Sequence, residues 1–378
     1  MPETADQEPL LRLLHSGAGA GALRRLLDTH GSAGAAVAAG AESWRTHGLE
    51  SAACAAIRQP DRDLLARSRR WLAADAHALI GWRDADYPLS LRDIQSPPVA
   101  LFVSGEPAML WRPSIAVVGS RMATAGGRAN AGAFAAALAH AGLCVASGLA
   151  AGIDASAHRA TLDAGGATVA VLGTGPDIAY PRANRTLMAD IAAAGALVSE
   201  HPPGTPPLRP HFPGRNRILA GLSLATLVVE AAQRSGALIT ARMAAEAGRE
   251  VFVVPGSIHN PMARGCHRLI REGAALVESP GEILDTLATQ IANLADIQRR
   301  TLQAEPSDCA CPPHWAEQPD YNILWEAMGY DPTCMDELVL RTGLTSARVS
   351  SMLLALELDG QVAVEHGRFS RRRVPPRA

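Results

Sequence analysis

The sequence is poor in aromatic residues and contains no apolar run long enough to cross a bilayer. Aromatics make up 4% of the 378 residues, too few for a broad base-stacking platform. If the ligand is a nucleic acid, that scarcity favours contacts to backbone phosphate. The six cysteines show no disulfide-framework spacing and read as reduced thiols. The opening stretch MPETADQEPLLRLL is acidic and has neither the basic nor the apolar region of a signal peptide, so the expected location is cytoplasmic. No Walker A sequence occurs, which removes P-loop hydrolysis of ATP. The formal net charge of -2 means that any polyanion site must be a local patch.

Hydrophobic residues at 48% and charged residues at 19% describe a globular chain long enough for two or three domains. Residues 1–75 are rich in Ala, Leu and Arg and are broken by glycines, as in HSGAGAGALRRLLDTHGS. A small helical domain is expected, with a faint likeness to SAM or helix-hairpin-helix modules. From Ser114 the pattern changes. SIAVV, LCVAS, ATVAVL, GALVS, ATLVVE, EVFVV and AALVE alternate with helical stretches. Continuous apolar runs are the mark of strands buried on both faces. Residues 76–295 should therefore form an extended Rossmann-like, doubly wound, mostly parallel α/β sheet. Residues 296–319 read as a polar linker, and 320–378 as a winged helix in which Gly343 serves the turn.

A doubly wound sheet binds ligands at the carboxyl ends of its strands, where the unusual loops fall. GSRMATAGGR follows the first run, SGLAAGID the second, GTGPDIAYPRANR the third and EHPPGTPPLRPHFPGRNR the fourth; EAAQRSG and PGSIHNP follow the next two. The first loop lacks the GxGxxG spacing of a dinucleotide site, and LGTGPD is only a fragment of one. Three helix starts carry arginines instead of the usual acceptor: Arg121 with Arg128, Arg182 with Arg185, and Arg215 with Arg217. An exposed cation there opposes the helix dipole by about 0.3–1 kcal/mol. Three such starts on one edge point to a shared polyanion, met by guanidinium groups and free amides together. No Asp or Glu lies between Glu200 and Glu230 to neutralise that edge, although Arg217 has either of these as a candidate partner. Cys309, Cys311 and His314 lack the fourth ligand of a zinc site, and His158 reads as a packed, hydrogen-bonded core histidine. No metal or cofactor is expected.

The ordered set VVGSR, SGLAAGIDASAH, AVLGTG, YPRAN, SEHPPG, FPGRNRILAGLS, VVEAAQRSGALITARMAAEAGREVFVVPG and GCHRLIREGA resembles the DprA/Smf family of DNA-processing proteins along essentially the whole chain. The resemblance implies a homodimer that binds single-stranded DNA without sequence specificity and duplex DNA more weakly. It also implies loading of RecA recombinase during natural transformation, with no catalysis. The residues expected at phosphate are Gly119, Ser120, Arg121, Arg128, Ser147, Gly148, Arg182, Arg215, Asn216, Arg217, Ser235 and Gly236, with Tyr180 or Phe212 stacking a base. Two positions depart from the family pattern: Ala151 stands where an arginine is usual, and His267 where an asparagine is common.

Two other functions fit parts of the sequence. One is a nucleotide hydrolase related to phosphoribohydrolases, with Glu230 as acid or base; the PGGxGTxxE motif of such enzymes is missing. The other is a sequence-specific repressor acting through the winged helix. Its second helix carries only Arg348 and a few hydroxyls for base edges.

Overall fold

The computed structural model describes residues 6–303, 319–328, 333–358, 362–365 and 368–371. It divides into two compact units, Met1–Asp296 and Ile297–Ala378.

Six short helices open the first unit: α1 (Gln7–Leu14), α2 (Ala20–His30), α3 (Ala33–Ala38), α4 (Gly40–Thr46), α5 (Ser51–Arg58) and α6 (Arg62–Leu72). Their leucines form a small core around Trp44 and Ile57 that also takes in Val99 and Ala100 of the following domain. Two strands come next, β1 (His77–Gly81) and β2 (Ala100–Gly105). Sequence reading started the sheet only at Ser114 and missed this pair. They are antiparallel to each other, and β2 is antiparallel to β6 (Ala196–Ser199). Phe102 of β2 packs on Leu11 and Leu65, which ties the helical domain to the sheet edge.

The remaining strands are β3 (Ser114–Val118), β4 (Cys144–Ser147), β5 (Thr168–Val171), β6 (Ala196–Ser199), β7 (Ala225–Val228), β8 (Glu250–Val253) and β9 (Ala275–Leu276). These seven pair with one another in parallel, and the whole nine-stranded sheet has the order β1-β2-β6-β5-β4-β3-β7-β8-β9. Alternate residues of the central strands feed separate cores. Ile115 and Val117 join α7 (Ala125–His140), α8 (Ile153–Asp163) and α13 (Pro280–Gln303) on one face. Ala116 and Val118 join α10 (His211–Leu222), α11 (Gly236–Glu246) and α12 (Arg264–Arg271) on the other. A further helix, α9 (Arg185–Ala194), packs beside α8 through Leu187, Met188 and Ile191. The sheet is thus buried on both faces, as the continuous apolar runs require. Chain order reverses at β3, which has β4 on one side and β7 on the other, and a crevice opens there.

Helix α13 continues to Gln303, into the stretch read as linker. The reason is local: DIQRRTLQ contains neither Pro nor Gly, and the first breaker is Pro306. Cys309, Cys311 and His314 lie outside the described residues.

The second unit contains α14 (Pro319–Met328), β10 (Thr333–Cys334), α15 (Met335–Thr342), α16 (Ser346–Leu358), β11 (Val362–Glu365) and β12 (Arg368–Arg371). Its strands pair in the order β10-β12-β11 beside a core of Leu324, Leu338, Val349, Leu353 and Leu356. Gly343 caps α15 at φ +67°, a left-handed turn that glycine adopts without strain. This is a winged helix. Arg348 is ion-paired with Asp320 at 2.5 Å.

Candidate nucleic-acid interface

The loop after β3 is held at both ends. Gly119 lies so close to α8 that a Cβ would fall 2.5 Å from Ile153. The Ser120 hydroxyl accepts from the Met122 amide at 3.1 Å. Thr124 caps α7 by accepting from the Gly127 amide at 2.9 Å. Its own amide and hydroxyl donate to the Glu230 carboxylate at 2.9 and 2.7 Å. Asn260 donates to the same carboxylate at 3.2 Å. Glu230, just past β7, therefore ties the loops after β3, β7 and β8 together across the reversal point.

The second loop lies over two buried groups of opposite charge, Asp154 and Arg215. Asp154, in the first turn of α8, accepts from the Gly148 and Ala150 amides at 3.2 and 3.3 Å. Burial pushes its carboxyl above the ordinary range, while Arg215, the two amides and Arg121 pull against the shift. Arg215 is only 5% exposed. Its guanidinium donates to the Val171 carbonyl and, through Nε, to Asn216 Oδ1 at 2.9 Å. Burial lowers its affinity for a proton, and Asp154 opposes that effect. The guanidinium rests on the Gly148 backbone, where a Cβ would come within 2.0 Å of Nη2. Only glycine admits this approach.

Around this floor lies an open crevice of about 660 Å³, lined by Gly119, Ser120, Arg121, Asn216, Ser235 and Gly236 among others. A smaller cavity of about 450 Å³ adjoins it and adds Gly148, Ala151, Pro181 and Arg182. Arg121, Tyr180, Phe212 and Arg215 border both. The Arg121 guanidinium sits 5.6 Å from the centre of the Phe212 ring, a cation–π approach. Tyr180 and Phe212 lie 5.2 Å apart, tilted by 42°. Ser235 caps α11 through the Ala237 amide at 3.3 Å. Asp154, itself buried, is the one carboxylate among the described lining residues.

Three expected residues are held elsewhere. The helix carrying FPGRNR starts at His211, earlier than its charges suggest, because Pro213 is tolerated in a first turn. Arg215 and Arg217 therefore stand in the second turn. Two positions along a helix are about 200° apart, so they face opposite sides. Arg217 turns from the crevice and makes a fork-to-fork pair with Glu200, at 2.9 and 2.5 Å. It also donates to the carbonyls of Ser96 and Gly214 at 2.9 Å each. Ser147 is fully buried and donates to the Val117 carbonyl at 2.6 Å, inside the sheet. Arg128 is exposed, but it folds back onto the Ala123 carbonyl at 2.6 Å and lines neither cavity.

Other residues escaped sequence reading. Arg209 lines the crevice from the proline-rich loop, where no periodicity announces it. Met122 and Ile239 line it as exposed apolar side chains. His158 is a core histidine as expected, bonded to Thr168 at 2.6 Å and lowered by burial to about 3. His267 meets the Gly256 carbonyl at 2.9 Å, away from both cavities.

Residues 78–288 match the family model DNA recombination-mediator protein A, and residues 308–368 match the DprA winged helix domain. Protein Smf of Escherichia coli is 42% identical over 305 residues, covering 80% of this chain and 79% of its own length. The DNA processing protein DprA of Streptococcus pneumoniae is 47% identical over 201 residues, 53% of this chain and 71% of its own. The solved structure of the S. pneumoniae protein superimposes with a TM-score of 0.66 at 37% identity, covering 75% of this chain and 98% of that one. A structure of DNA processing protein A from Helicobacter pylori, described for its single-stranded DNA binding mode, gives 0.52 at 25% identity over 57% of this chain and 96% of that one. Among the described residues no helix is long and apolar enough to cross a membrane. The chain is a member of the DNA recombination-mediator protein A (DprA/Smf) family.

Proposed function

We propose that this protein binds single-stranded DNA in the crevice at the β3/β7 reversal and delivers the strand to a RecA-class recombinase. One observation carries the reading: exposed Arg121, Arg182 and Arg209 surround a Tyr180–Phe212 aromatic pair, and the only carboxylate on the described lining is buried beneath them. Cations beside aromatic faces suit a chain of phosphates with unpaired bases. A duplex keeps its bases stacked inside and offers the aromatic pair nothing, which makes duplex binding weaker. The H. pylori relative, described by its single-stranded DNA binding mode, supports the same assignment. RecA delivery and a homodimeric state rest on the family resemblance.

The reading treats the protein as a binder without catalysis. Glu230 already accepts three hydrogen bonds, which suits a clamp better than a proton carrier. Binding of a labelled oligonucleotide, competed with unlabelled single strand and duplex, tests the first step. A single strand should compete more effectively at equal phosphate concentration. RecA-dependent ATP turnover on the same strand should rise when substoichiometric protein is added. Equal competition by duplex removes the single-strand assignment, and unchanged RecA turnover removes the delivery step. Incubation with nucleoside monophosphates should release no free base; release would favour the hydrolase.

A further inference from the structure

The rim of the crevice leaves an unusual amount of apolar side chain in water. Met122 is 85% exposed, Tyr180 42% and Ile239 39%, and all three border the same opening as Phe212. Isolated exposed apolar residues are ordinary, but a group of them around one concave site marks a binding surface. Met122 is also presented on a stiff support. Its amide is bonded to the Ser120 hydroxyl, Ala123 behind it is buried, and Thr124 is clamped by Glu230. A thioether fixed in water in this way gains nothing from the free protein's own packing.

We infer that Met122 is a wedge that inserts between neighbouring bases of the bound strand, so that the site grips base faces as well as phosphates. The inference rests on the single-strand reading above and deepens it. Charge selects the occupant. Arg121, Arg182 and Arg209 require an anionic ligand, and the apolar rim requires flat apolar faces next to that charge. A single strand with its bases turned inward supplies both. Insertion of an apolar side chain must first break a base stack, as minor-groove wedges do in duplex DNA. Strands that stack weakly therefore bind better. The site is indifferent to base-edge hydrogen bonding yet sensitive to stacking, so thymine runs should be preferred over adenine runs.

The test uses the full-length protein and three labelled strands with equal phosphate number: oligo-dT, oligo-dA, and oligo-dT with several central abasic sites. Wild type should bind oligo-dT roughly threefold or more tighter than oligo-dA, reflecting the cost of unstacking adenines. Met122→Ser should lose about fivefold on oligo-dT, the low end of one base contact, and change little on the abasic strand. Met122→Leu should stay close to wild type, since shape and apolarity are kept. The side chain is exposed, so the variants should melt with wild type. Equal loss by Met122→Ser on all three strands, or no loss on any, overturns the wedge and leaves single-strand binding standing. Failure of wild type to bind any of the strands overturns both.

Discussion

Arg121 and Arg217 both looked like phosphate ligands in sequence, and the structure separates them by a measurable quantity. Arg121 and Arg209 are exposed on the crevice, whereas Arg217 is bonded to Glu200 and two carbonyls. Each single-strand phosphate neutralised contributes about -0.7 to the slope of log affinity against log salt. If Arg121, Arg182 and Arg209 each meet one phosphate, the wild-type slope is about -2.1. Raising salt from 50 to 200 mM, a fourfold change, then weakens binding about 18-fold. Arg121→Ala combined with Arg209→Ala leaves a slope of about -0.7 and a loss of only about 2.6-fold over the same range. Arg217→Ala should leave the slope alone and act on stability. It strands a Glu200 carboxylate that is only 18% exposed. That costs about 2 kcal/mol, or roughly 3 °C in Tm for a unit running from Met1 to Asp296. Anisotropy titrations at four salt concentrations and a thermal melt read both effects. A flattened slope in Arg217→Ala, or an unchanged slope in the double variant, would refute the separation.

Further outcomes follow from the same contacts. Gly148→Ala places a methyl group where the buried Arg215 guanidinium now rests, so its bonds to the Val171 carbonyl and Asn216 must break; both Tm and affinity should fall, by at least about 2 kcal/mol in stability. Glu230→Ala leaves the Thr124 and Asn260 donors without their acceptor and should cost about 1–3 kcal/mol by chemical denaturation. Glu230→Gln retains an acceptor oxygen and should cost less. Burial holds His201 at about 4, with His211 and Arg217 acting in the same direction and Glu200 against it. The unfolded chain takes up this proton from about pH 6.5 downward and the folded chain does not, so stability present above pH 6.5 is lost as the pH falls towards 4. His201→Asn should make the Tm less sensitive to pH between 7 and 4.5, and an unchanged sensitivity would show that His201 is not responsible.

The parallel core of the sheet was legible because strands buried on both faces must be continuously apolar, as SIAVV and ATLVV are. The antiparallel pair β1 and β2 was not. HALIG and ALFVSG sit among tryptophans, prolines and turn residues that carry no repeating pattern, and long-range pairing with β6 determines their place. At the candidate site, the glycine-bearing loops could be grouped on one edge from sequence, since topology alone directs the loops after parallel strands to the same side. Individual arginines were harder. The helix start at His211 depended on tolerance of Pro213 in a first turn, and a shift of one turn reassigns every side chain on the helix. Sequence spacing could not choose between Glu200 and Glu230 as the partner of Arg217; chain folding after β6 brings Glu200 to it. Arg209 and Met122 lie in loops, where position depends on tertiary structure alone.

The central claim is that single-stranded DNA lies in the crevice between the loops after β3 and β7. Photocrosslinking tests it most directly, using a 5-iodouracil oligonucleotide with the full-length protein and mapping the adducts by peptide mass spectrometry. Adducts on the peptides that carry Tyr180 and Phe212 are predicted, diminished by excess unlabelled single strand. Adducts confined to residues 319–371 or to the helices between Gln7 and Leu72 would contradict it.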